Sequence, residues 1–111
     1  MSIIIKWLIL TVAIIIGAYL LPGVTVSGFL VAVIAAAVLG IINLVLKPIL
    51  VIITLPINIL SLGLFTLVIN ALLIMLMAHL VDGFDVQNFW WALLFGVILS
   101  VINPILTKLF K

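Results

Sequence analysis

The sequence predicts an all-α fold: a membrane-embedded four-helix bundle made of two parallel-oriented two-helix repeats. A short re-entrant or kinked segment is expected after the second helix. Three observations predict this. Hydrophobic residues make up 70% of the 111-residue chain and charged residues 5%, where a soluble domain carries about a quarter charged. Four apolar stretches, about 3–21, 29–46, 62–81 and 89–107, each approach the thickness of a hydrocarbon core at the helical rise. The second half also repeats the first at an offset of 60 residues.

The whole chain, 1–111, reads as one transmembrane domain, with repeat one over 1–60 and repeat two over 61–111. The first stretch places Lys6 before an apolar run and so imitates a signal peptide. Ala18-Tyr19-Leu20 lacks a small residue at the final position of a cleavage site, so the stretch is read as an uncleaved first span. Next comes "LPGVTVSG", a turn built on Pro22, Gly23 and Gly28. The second span carries Ala32, Ala36 and Gly40 at four-residue spacing, and the fourth carries Ala92, Gly96 and Ser100 at the matching positions. Residues at i and i+4 share a helix face, and small residues let backbones approach where lipid gives no hydrophobic drive. The expectation is that spans two and four cross each other along these stripes at the centre.

The stretch "INLVLKPILVIITLPINIL" then sets Asn43, Lys47, Pro48 and Pro56 in a very apolar context. Pro48 suits the first turn of a new helix and Pro56 its end, so 48–55 is expected to be a re-entrant half-helix or a bent extension of span two. Pro104 follows Asn103 in the same way. A proline frees a carbonyl one turn back, that of Leu44 or Ser100, and the neighbouring asparagine amide is expected to satisfy it. In the third span Asn70, one turn after Thr66, is expected to clamp helices together rather than line a pore. Trp7, Tyr19 and Trp90-Trp91 suit an aromatic belt at the headgroups.

The loop "VDGFDVQN" joins the last two spans and holds the chain's two acids, Asp82 and Asp85. Lys6, Lys47, Lys108 and Lys111 all fall at the opposite end of a four-span chain. Lysine-rich ends remain in the cytoplasm, which predicts a multi-pass membrane protein with both termini cytoplasmic. Aligned without gaps, Gly23, Val26, Phe29, Ala32, Leu39 and Ile42-Asn43 fall on Gly83, Val86, Phe89, Ala92, Leu99 and Ile102-Asn103. Each repeat holds an even number of crossings, so the repeat axis is expected along the membrane normal.

Chemistry is sparse. There is no cysteine, arginine or glutamate and no basic cluster, so neither a thiol site nor a nucleic-acid partner is expected. His79, Asp82 and Asp85 are read as an interfacial histidine beside solvated acids. No nucleophile–base pair or zinc spacing occurs, and no enzyme activity, cofactor or metal is expected.

Three stretches carry a resemblance: Asn43…Lys47-Pro48; Thr54-Leu55-Pro56 leading to Leu62-Gly63-Leu64-Phe65; and Val68-Ile69-Asn70-Ala71. With them the chain, over nearly its whole length, resembles phage holin family 4 (holin superfamily IV), whose members commonly carry a basic residue at the position of Lys47. The resemblance implies a homo-oligomer that accumulates in the bacterial cytoplasmic membrane and opens lesions for a cell-wall hydrolase. The chain departs from holins in its short "KLFK" end and in lacking a second N-terminal methionine. Two alternatives stand beside that reading: a non-lytic scaffold or accessory protein with a membrane protein partner in envelope maintenance, and a small transporter.

Overall fold

The structure is a computed structural model and describes residues 2–53 and 64–110. Its elements in chain order are α1 (Ile3–Leu20), β1 (Val24–Val26), α2 (Phe29–Ile53), α3 (Leu64–Leu80), β2 (Phe84–Val86) and α4 (Phe89–Leu109). Pro56 and Lys111 lie outside the described residues, as does the part of the 48–55 segment beyond Ile53. The helices α1, α2 and α4 are long and apolar enough to cross a membrane, and α3 is a shorter apolar helix of 17 residues. Together they form an all-α membrane bundle.

Local chemistry sets the helix starts. The Ser2 hydroxyl accepts the Ile5 N–H at 3.1 Å and the Asn88 side chain accepts the Trp91 N–H at 3.1 Å, each satisfying a donor that the helix leaves unpaired. Asn88 has Gly28 as its counterpart in the first repeat, so only α4 gains a side-chain cap of this pair.

The four helices form a ring. α1 packs on α2 and α4, and α3 packs on the same two. No Cα of α2 comes within 8 Å of α4, nor of α1 within 8 Å of α3. The expected crossing of spans two and four is therefore wrong: those helices stand on a diagonal. Their small residues admit the flanking helices instead. A Cβ on Gly96 would meet Ile74 Cδ1 of α3 at 3.3 Å, and one on Gly17 of α1 would meet Phe95 Cε1 of α4 at 2.6 Å. Ala32, Ala36, Ala92 and Gly96 are buried, but a Cβ on Gly40 would meet nothing within 4 Å and Ser100 is exposed. Gly40 and Ser100 are thus not packing positions, because the bundle opens at their level.

The prolines also depart from expectation. α2 runs through Pro48 and α4 through Pro104 without ending, so neither is a helix break, and Pro48 does not open a new helix. A proline removes one hydrogen bond, and a helix survives that where the freed carbonyl meets a polar space. Ser100, whose carbonyl Pro104 releases, lines such a space. The continuous alternative for the segment after span two holds as far as Ile53.

Where the sequence suggests only loops, a two-stranded antiparallel ribbon joins the repeats. Val24 pairs with Val86, Thr25 with Asp85, and Val26 with Phe84. Thr25 and Asp85 are 60 positions apart, and the flanking pairs exchange under the same shift. The backbone bonds Ser27 N–H to Gly83 O and Gln87 N–H to Gly23 O, both 2.9 Å, are likewise equivalents. A twofold axis through the Thr25–Asp85 pair generates this register. It runs along the bundle, because the ribbon closes one end of it.

Burial follows the same shift. Ile9, Ala13, Ile14, Val24, Ala32, Ala36 and Leu39 are buried, and so are Ile69, Leu73, Ile74, Phe84, Ala92, Gly96 and Leu99. At the ribbon end the core is tight. Phe95, Ile14 and Met77 are fully buried, and Phe84 stacks obliquely on Phe95 with ring centroids 5.7 Å apart. Gly83 has φ of +94°, a conformation that glycine adopts without penalty, and an added Cβ would also sit 2.5 Å from Ser27 Oγ.

Candidate functional site

Away from the ribbon the described helices leave a cup of about 280 Å³ between them. All four helices line it. α1 contributes Leu10, and α3 contributes Asn70 and Ile74. From α2 come Leu39, Asn43 and Lys47, and from α4 come Gly96, Leu99, Ser100, Asn103 and Pro104. The spacing explains the convergence: Leu39, Asn43 and Lys47 recur every fourth residue and so share one face of α2. Along that face the wall rises by about 12 Å.

Asn43, Asn70 and Asn103, to which the sequence gives separate roles, thus face one cavity. None of the three hydrogen-bonds another residue among the described residues, and no buried side-chain nitrogen or oxygen is left without a partner. Their amides are therefore open to the cup. This corrects two expectations: Asn43 and Asn103 do not satisfy the carbonyls freed by the prolines, and Asn70 does not clamp helices. The Ser100 hydroxyl donates to Gly96 O at 2.8 Å and keeps its lone pairs for the cup. Thr66 stands one turn before Asn70, half-buried, and does not line the cavity.

The cup is blind. Its floor of Leu10, Leu39, Ile74 and Leu99 leads into the buried Ile14, Met77, Phe95 and Phe84. Lys47 is half-buried in its wall. Lys6 and Lys108 are exposed at the same end of the bundle, while Asp82 and Asp85 are exposed at the ribbon end with His79 nearby. Among the described residues no three histidine or acidic side chains gather as metal ligands. The bundle's exterior is apolar, with Leu44, Ile52, Leu94 and Ile105 among its exposed side chains.

Trp7 is tied to a neighbouring helix: its indole N–H donates to the Val33 carbonyl of α2 at 2.8 Å. Trp91 is half-buried and packs on Gly23, where any Cβ would collide with its ring. Tyr19 and Trp90 remain exposed. The i, i+4 spacing of Asn43 and Lys47 is a legible signal for the cup. The ribbon has little signal, since strands of three residues are shorter than the runs by which alternation is recognised.

Comparison with known proteins places these features in a family. Residues 1–105 match the model described as mycobacterial 4 TMS phage holin, superfamily IV. The chain is 39% identical over 101 residues to an uncharacterized protein of Streptomyces coelicolor, covering 82% of this chain and 81% of that one. It is 38% identical over 112 residues to YvlD, an uncharacterized membrane protein of Bacillus subtilis, covering 94% and 92%. No solved structure matches the chain significantly.

Proposed function

Because this chain belongs to the mycobacterial four-span phage holins of superfamily IV, we propose a function within that holin-like frame that is non-lytic: a small scaffold or accessory protein of the bacterial cytoplasmic membrane. In this reading the chain crosses four times, and both termini and the lysine-bearing mouth of the cup face the cytoplasm. The observation that carries it is the blind cup. Asn43, Lys47, Asn70, Ser100 and Asn103 line this one cavity, and the buried Ile14, Met77 and Phe95 fill the bundle on its ribbon side. Copies gathered by their lateral faces would present leucine, isoleucine and valine to one another, which gives water no lining. Controlled expression in a bacterial host tests the reading. Growth and membrane potential are expected to persist, and collapse of the potential at modest expression overturns it.

Family membership favours a second reading, in which homo-oligomers permeabilise the membrane after the bundles open and turn the cup residues toward a shared lumen. Purified protein in dye-loaded vesicles separates the two. Leakage that is abolished by Asn43→Leu with Asn103→Leu supports the lesion, and tight vesicles support the scaffold.

A further inference from the structure

Lys47 is a half-buried cation with no anionic partner among the described residues. Its side chain lines a half-buried cavity, yet the chain holds two acidic side chains, Asp82 and Asp85. Both stand at the ribbon end, about 27 Å away along α2. Lys47 makes no ion pair among the described residues. Helix dipoles do not compensate it either. Two helix N-termini and two C-termini share the open end, so their partial charges nearly cancel. Lys6 and Lys108 add positive potential at the mouth. Around this cation stand Asn43, Asn70 and Asn103, whose amides carry two N–H donors each and have no partner among the described residues.

From this geometry we infer that the cup binds a phosphate group, with Lys47 supplying the charge and the asparagine amides the hydrogen bonds. An ammonium recognises phosphate as a point charge, and tetrahedral oxygens can accept from donors on several sides at once. The donors here come from three helices, α2, α3 and α4, which matches that shape better than a flat carboxylate. The lateral exterior is apolar, with Leu44 and Ile105, the sequence neighbours of Asn43 and Pro104, exposed on it, so a phosphodiester lipid could seat its headgroup in the cup and its chains along that exterior. Free phosphate offers the same chemistry without the chains. The inference is independent of the non-lytic reading, since a lesion-forming protein could carry the same site.

Full-length protein in an uncharged detergent tests it with two probes. One arm titrates inorganic phosphate by calorimetry. The other measures retention of phosphatidylglycerol against phosphatidylcholine by native mass spectrometry. At least one arm is expected to show binding: the lipid arm alone assigns a headgroup, and the phosphate arm a soluble anion. Lys47→Met is expected to weaken that binding about tenfold, the scale of one charge-assisted hydrogen bond, while Lys6→Met, exposed and outside the cup lining, is expected to weaken it less than about twofold. Asn103→Leu is expected to weaken it too without altering charge, and so keeps the test open should Lys47→Met fail to fold. Silence in both arms, or equal loss in Lys6→Met and Lys47→Met, overturns the site.

Discussion

At the scale of single residues, the two halves of the bundle are related but not interchangeable. Gly17 sits under Phe95, where an added methyl would stand 2.6 Å from the ring edge; their counterparts at the 60-residue shift are Met77 and Ala35. The bulky partner has changed sides, on the inner helix pair α1–α4 in one case and α3–α2 in the other. Gly17→Ala should therefore cost about 1–3 kcal/mol by overpacking, read as a lowered unfolding midpoint in detergent. Gly17→Met combined with Phe95→Ala copies the opposite interface and should recover most of that loss. A full sum of the two single losses would refute the exchange. Trp7→Phe removes the 2.8 Å bond to Val33 and should cost about 0.6 kcal/mol, the average for interhelical bonds in membranes. Neither contact was legible in the sequence, because an apolar helix has no marked face to show which neighbour each residue meets.

At the scale of elements, the helices were legible and their interruptions were not. Length and hydropathy place α1, α2, α3 and α4 close to the four expected spans. The prolines suggested breaks, yet both helices continue, because tertiary surroundings decide whether a lost hydrogen bond is tolerated. Pro104→Ala should leave the helical circular dichroism unchanged and add about 1 kcal/mol by restoring one backbone bond; a gain in helix content would show that α4 does break there. The ribbon gives a sharper test. Directly opposed residues in an antiparallel pair have Cα atoms about 4.5–5.5 Å apart, within the span of a disulfide. The chain has no cysteine of its own, so Thr25→Cys with Asp85→Cys should give an intramolecular cross-link on oxidation, seen as a shifted monomer band. Cross-linking only between chains would remove the ribbon from the monomer.

At the scale of the whole molecule, the ring order makes the cup. With α2 and α4 on a diagonal, an axial space remains between them, and the polar faces of both helices meet there as the cup. Had they crossed along their small residues, the axis would have been filled. Ala36→Cys with Gly96→Cys should therefore resist intramolecular oxidation, since Cα atoms beyond about 7 Å cannot be bridged. Ready cross-linking of that pair would restore the crossing and abolish the cup.

The solvent, the number of helices, the placement of lysines and acids at opposite ends, and the repeat were all legible along the chain. Those properties are carried by composition and by spacing along one chain. Only the tertiary structure decided that the stripes face flanking helices, that the repeats exchange strands at their closed end, and that three asparagines and Lys47 share one cavity. These depend on the angle at which each helix face meets its neighbours, and nearly uniform apolar helices encode that angle in packing rather than in pattern.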